Sequence, residues 1–179
     1  MTRIVEVETI VGPLAFRWDD DATGIDAEGV EHQGAVVRAA FMRARDLETP
    51  EDEYIDADAA TGGLRAAVDA VRAWNSGRNL DACGVVPLAQ IGSAFRQRCW
   101  QALRTSRAGE VLTYGELAEL AGSPGASRAA GGAMANNAVA PFVPCHRVVP
   151  AGGGLGHYSA ARGSVTKATL LAHEGVILG

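Results

Sequence analysis

The chain contains no run of about 18 apolar residues, the length a membrane-crossing helix requires. Its opening residues, Met1-Thr2-Arg3-Ile4-Val5-Glu6, lack the hydrophobic stretch of a signal peptide, so the expectation is a soluble, cytoplasmic protein with no membrane partner. Cysteine is scarce: Cys83, Cys99 and Cys145 form an odd set without a CxxC pair, which argues against a disulfide framework and a zinc ribbon. The first half offers only His32 and Cys83 toward a metal, too few for a four-ligand zinc site, so no metal is expected. No internal repeat is visible, and 179 residues suffice for one ordinary domain or for a small domain joined to a compact second one.

Net positive charge is missing as well, since the formal charge is -5. That average hides a division. Residues 1–91 carry eight arginines against 17 acidic residues, giving -9, while residues 92–179 carry seven arginines and Lys167 against four glutamates, giving +4. Only the second half favours a polyanion, and the acidic residues of the first half serve at least to keep it soluble.

The β-prone runs Val5 to Thr9 and Leu14 to Trp18 flank Val11-Gly12-Pro13, which predicts a hairpin in a small sheet. Asp19-Asp20-Asp21 and residues 46–60 read as polar loops, and helices are expected near 34–45 and 62–75, the latter burying a stripe of Ala66, Ala67, Ala70 and Trp74. The composition around Val85 to Gly92 places a boundary near residue 90, giving an α/β (α+β) fold: a sheet-containing domain over 1–90 and a mainly helical one over 91–179.

In that second half Ser93 caps a helix whose Phe95, Cys99 and Leu103 share one face, so Cys99 reads as core. Thr113-Tyr114-Gly115-Glu116 is a capping-box pattern that starts a helix at Tyr114 and runs to Gly122. A turn, Ser123-Pro124-Gly125-Ala126, leads to a second helix that Ser127 is expected to cap and that ends near Asn136, so the pair resembles a helix-turn-helix. The middle of the second helix, Arg128-Ala129-Ala130-Gly131-Gly132-Ala133, carries almost no side-chain bulk. Each glycine costs about 1 kcal/mol of helix stability relative to alanine, so something requires a smooth surface. Either a neighbouring helix packs closely there or another body approaches from outside. Arg128 in the first turn favours DNA, because an arginine there can reach into a groove or a stack.

The segment Pro144-Cys145-His146-Arg147-Val148-Val149 sets a thiol beside an imidazole and a guanidinium. A cysteine of ordinary pKa is only a few per cent thiolate at neutral pH, so a nucleophilic one needs a base or a positive field. Read as an extended segment, it points Cys145 and His146 to opposite sides, so a bridging water is expected between them. Glu174, near the end of a helix that Ser164 is expected to cap and Gly175 to terminate, lies at i+3 and i+4 from Leu171 and Leu170. Either it points to solvent or, on the leucine face, it takes a partner, for which His146 is the choice.

These residues resemble the O6-alkylguanine-DNA alkyltransferases, in which Pro-Cys-His-Arg-Val is diagnostic. Thr113-Tyr114-Gly115-Glu116-Leu117-Ala118, Ser127 to Met134, Asn137, Gly156-His157-Tyr158-Ser159 and Leu170 to Gly175 stand in family order, covering roughly residues 90–179, whereas residues 1–90 resemble the family only faintly. The resemblance implies single-turnover repair without a cofactor, by a protein expected to be a monomer. An alkyl group moves from O6-alkylguanine, or from O4-alkylthymine, in double-stranded DNA to Cys145 after the base is flipped out through the minor groove. It implies His146 and Glu174 as the activating relay and Asn137 as a brace after the recognition helix. Tyr114, Val148, Tyr158 and Ser159 would contact the base. Arg128 would fill the gap the base leaves, with Ser127, Ala129, Gly131 and Gly132 also at the DNA.

Three departures bear on the range of alkyl groups accepted: Ala138 replaces a proline, Ala160 and Ala161 replace a glycine pair, and His157 is an unusual neighbour. Two other readings compete. A damage-recognising module without transfer would lack the acceptor thiol. A cysteine hydrolase would need an oxyanion site and would leave the smooth helix unexplained.

Overall fold

The computed structural model describes residues 1–178, which divide into two compact units: Met1–Gln90 with Ala138–Phe142, and Ile91–Asn137 with Val143 onward. The first unit holds a four-stranded sheet in the order β3-β2-β1-β4, formed by β1 (Thr2–Thr9), β2 (Gly12–Ile25), β3 (Glu31–Ala40) and β4 (Glu53–Tyr54). The expected hairpin is present, with Thr9 paired to Gly12 and Val5 to Phe16. Gly12 takes φ +105°, a left-handed turn conformation closed to most residues. Both faces of these strands bury apolar residues, Val5, Leu14, Phe16 and Trp18 on one and Ile4 and Ala15 on the other. Helix α1 (Ala44–Leu47) is one turn long, and α2 (Gly62–Asn75) buries Leu64, Ala67, Val68, Ala70, Val71 and Trp74.

Several expectations for this unit are corrected. The helix placed near 34–45 is mostly β3: Ala35, Val36 and Ala39 are buried in a strand paired with β2, and β-branched valines suit a pleated surface. Asp19-Asp20-Asp21 lies inside β2 rather than in a loop. There the Met1 ammonium pairs with Asp19 and Asp21, and Arg3 with Asp20. Ala66 is not part of the buried face of α2, which is carried by the helix's larger apolar residues. Residues 138–142 join this unit through Ala39 N–H donating to Ala138 O at 2.8 Å and through an edge-on contact of Phe16 with Phe142.

The second unit is built from α3 (Ala94–Arg104), α4 (Tyr114–Leu120), α5 (Ser127–Ala135) and α6 (Ser164–His173), with the short strands β5 (Leu112–Thr113) and β6 (Val148–Val149). Its core includes Cys99, Trp100, Leu103, Leu117, Ala130, Ala133, Leu170 and Leu171. The Thr113 capping box forms as expected, and Ser93 accepts from Arg96 N–H. Ser127 and Ser164 do not cap. Ala126 and Gly163 hold the cap positions, and each serine is the first residue of its helix. The parallel pair β5-β6 aligns Leu112 with Val148 and Thr113 with Val149, so Tyr114 starts its helix beside the Cys145 segment.

Ala161 adopts φ +45°, in the left-handed region that a Cβ disfavours. Ala161→Gly is therefore expected to stabilise the protein by up to about 1 kcal/mol, a rise of a few degrees in thermal midpoint. Calorimetry checks this, and a lowered midpoint would contradict it.

Candidate active site

Cys145, His146 and Arg147 form a single 3-10 turn, with Cys145 N–H donating to Val143 O at 2.8 Å and Arg147 N–H to Pro144 O at 3.0 Å. The extended course expected here is thus corrected: the extended residues begin at Val148, after the turn. The turn leaves Cys145 partly exposed while His146 and Arg147 are buried, and both other cysteines are buried. Cys145 is therefore the thiol a reagent can reach.

Glu174, the residue that ends α6, is 6% exposed and lies under this turn. His146 Nε2–H donates to its Oε1 at 2.9 Å, Arg147 Nε–H donates to Oε2 at 2.9 Å, and Arg147 Nη2–H reaches Oε1 at 3.0 Å. Arg147 Nη1 also donates to Ser106 O at 2.7 Å. Burial alone would raise the carboxyl pKa, but the bonds from His146 and Arg147 outweigh it and hold it at about 2. Glu174 is therefore an acceptor only, which places the proton of His146 on Nε2 and leaves Nδ1 as the acceptor nitrogen. That Nδ1 is buried and bonds no protein group. Burial pushes the imidazole pKa down while Glu174 pulls it up, so His146 is neutral at pH 7.

Around the sulfur, burial pushes the thiol pKa up, opposed by the neighbouring Asn137 amide and Tyr158 hydroxyl and by the charge of Lys167. Asn137 Nδ2 also donates to Val143 O at 3.0 Å, bracing the loop that carries Cys145. Tyr158 is buried, and burial beside Cys145 keeps its hydroxyl protonated well above the ordinary range. Arg147 is committed to Glu174 and Ser106, so the cation acting on the thiol is Lys167, buried with Nζ donating to Val148 O. Sequence reasoning missed Lys167. The signal was there, because Lys167 stands at i−3, i−4 and i−7 from Leu170, Leu171 and Glu174, on the same helical face.

The α5 surface bears the other predicted residues. Ser127, Arg128 and Ala129 lie in its first turn, and Arg128 and Ala129 are exposed there. A Cβ built on Gly132 would meet nothing within 4 Å, and one on Gly131 only the Tyr114 ring at 3.8 Å. No packing inside the protein requires either glycine, so the α5 face is left bare of side-chain bulk. Thr113, Tyr114, Gly115, Ser127, Arg128, Gly131, Pro150 and Ala151 line an open cleft of about 600 Å³. Tyr114 is half-buried, and burial raises its hydroxyl pKa, with a smaller push from Cys145. Val148 is buried and Ser159 exposed. Among the described residues no helix is long and apolar enough to cross a membrane, and no three metal-ligating side chains cluster.

The Glu174 contribution to stability has a definite sign. A carboxyl held at about 2 against an ordinary 4.5 stabilises fully above pH 4.5, and this is lost as the pH falls toward 2, on the order of 3 kcal/mol in all. Glu174→Gln should lose that dependence. It should also be less stable at pH 7 by about 3 to 5 kcal/mol, because Arg147 is left buried without its counter-charge. Denaturant melts from pH 2 to 7 check both, and equal stability at pH 7 would contradict the pairing.

Comparison with known proteins agrees with this geometry. Residues 94–176 match the family model described as "6-O-methylguanine DNA methyltransferase, DNA binding domain". The Methylated-DNA--protein-cysteine methyltransferase of Mus musculus is 48% identical over 93 residues, 52% of this chain and 44% of that protein, so the chain matches somewhat less than half the length of such relatives. The protein of the same name from Shigella flexneri is 35% identical over 181 residues, covering 99% of both chains. Among solved structures, Mycobacterium tuberculosis OGT in complex with DNA superposes with a TM-score of 0.71 at 28% identity, over 96% of this chain and 92% of that one. With similarity of this extent along its whole length, the chain belongs to the methylated-DNA--protein-cysteine methyltransferase family.

Proposed function

We propose that the protein repairs alkylated DNA by moving an alkyl group from O6 of guanine in a duplex onto Cys145, once per molecule. The observation that carries this reading is the arrangement at His146: an anionic Glu174 holds Nε2, while a buried Nδ1 without a protein partner lies one residue from a reachable thiol. A water bridging Nδ1 and the sulfur passes the thiol proton to His146, and Glu174 stabilises the imidazolium that forms. The sulfur attacks the alkyl carbon, the S–C bond forms, the C–O6 bond breaks and its electron pair stays on guanine. Guanine then takes up one proton, so the net change is the transfer of the thiol proton to the base. Tyr114, whose hydroxyl stays protonated, donates a hydrogen bond to the base as charge develops, with Val148, Tyr158 and Ser159 holding the base in place. A thioether is stable and nothing in the site removes it, so the protein acts once, without metal or cofactor.

Stacked guanine cannot present its alkyl carbon in line with a protein sulfur, so extrusion precedes chemistry. The +4 half, the bare face at Gly131 and Gly132 and the exposed Arg128 suit minor-groove docking in which Arg128 fills the gap left in the stack. We assign the reaction to the second unit, give the acidic first unit a structural role, and place the protein in the cytoplasm as a monomer.

The test is a titration of duplex DNA carrying labelled O6-methylguanine. Label should move to Cys145 and saturate at one equivalent. Turnover beyond one equivalent, or full transfer by Cys145→Ser, would refute the reading. In the same assay Arg128→Ala should slow repair in duplex DNA by at least about tenfold while leaving reaction with a free O6-alkylguanine base nearly unchanged. Equal slowing of both would remove the stack-filling role.

A further inference from the structure

Trp100 is a large aromatic at the centre of the second unit that the proposed reaction leaves without a part. It is 3% exposed, and its ring packs so tightly on Gly92 that a Cβ there would lie 2.5 Å from a ring carbon. Its indole Nε1–H donates to Ala133 O, in the last turn of α5, at 2.8 Å. In a continuing α-helix that carbonyl would accept from the amide four residues on, which is Asn137. Asn137 N–H instead turns to Met134 O at 3.1 Å, and α5 ends at Ala135. An indole donor on Ala133 O satisfies the carbonyl that the helix gives up, so ending the helix at this point does not leave that acceptor unbonded.

The position of the helix end governs the direction of the side chains beyond it. Each further helical residue would turn the next side chain by about 100° and advance it by about 1.5 Å. Asn137 is the second residue past the end, and its side-chain amide must both hold Val143 O and face the Cys145 sulfur. If Asn137 N–H claimed the Ala133 carbonyl, its side chain would swing off both partners.

We propose that Trp100 is a positioning residue: by taking the Ala133 carbonyl it fixes where the recognition helix ends and so sets Asn137 against Cys145. The proposal rests on Cys145 being the reactive nucleophile and adds how the helix that meets DNA is tied to it. Trp100 touches neither DNA nor the reacting atoms.

The test is the rate at which full-length protein loses its Cys145 thiol to iodoacetamide as a function of pH, alongside transfer from labelled duplex DNA and a thermal melt. Trp100→Phe keeps most of the packing and loses the donor. Its thiol profile should move to higher pH, making alkylation about 3- to 10-fold slower at neutral pH, because the thiolate loses a well-placed hydrogen bond. The same substitution in an Asn137→Ala background should add no further shift. Gly92→Ala, which pushes the Trp100 ring by direct overlap, should reproduce the shift and serves if Trp100→Phe fails to fold. A wild-type profile in a folded Trp100→Phe or Gly92→Ala protein would overturn the proposal, as would a full additional shift on top of Asn137→Ala. Wild-type transfer to Cys145 in the DNA assay is read separately, so a failed linkage is distinguished from a failed repair assignment.

Discussion

The carboxylate of Glu174 is the charge on which the site's geometry depends. It is buried at the end of α6, it takes three hydrogen bonds from His146 and Arg147, and those bonds hold it ionised to about pH 2. This one fact has three consequences. The imidazole tautomer is fixed with Nδ1 as acceptor, the Cys145 turn is tied to α6 by two adjacent residues, and Arg147 is withdrawn from any part in polarising the thiol. A buried ion pair of this kind gives little net stability over an apolar replacement. What the pair does here is orient: it holds the His146 ring with an acceptor nitrogen free, one residue from the Cys145 thiol.

The thiol is not held as a free thiolate by the resting site. Burial raises its pKa, and the opposing pull of Asn137, Tyr158 and Lys167 does not overcome it. Under the proposed reaction, activation depends on proton removal at the moment of reaction, the task we assign to the His146-Glu174 pair. A mostly protonated cysteine also reacts more slowly with stray electrophiles.

The sequence made the second unit more legible than the first, for physical reasons. Capping chemistry is local, so Thr113 with Glu116 and the Ser93 cap could be read directly, and the partner of Glu174 came from the cost of an unpaired charge on a leucine face. Ser127 and Ser164 misled because a serine at a helix start is as compatible with the first helical position as with the cap. Strand β3 was read as a helix because its Ala-Val-Val-Arg-Ala-Ala run satisfies both periods over so short a span, and pairing with β2 decided the outcome. The Asp19 to Asp21 strand was hidden for a similar reason: its cations are Met1 and Arg3, brought close only by the hairpin. Lys167 was overlooked although the spacing that exposed Glu174 applied to it equally. What the α5 glycines avoid was beyond the reach of sequence, and the fold answers it with open space at Gly132.

The most direct test of the Glu174-held relay is the nitrogen-15 spectrum of His146 across pH. A neutral ring is predicted at pH 7 with its proton on Nε2 and an unprotonated Nδ1, changing only at a pH below the ordinary histidine range, together with a loss of that tautomer preference in Glu174→Gln. A proton on Nδ1 at pH 7, or an imidazolium there, would contradict the relay, because His146 could then accept nothing from Cys145.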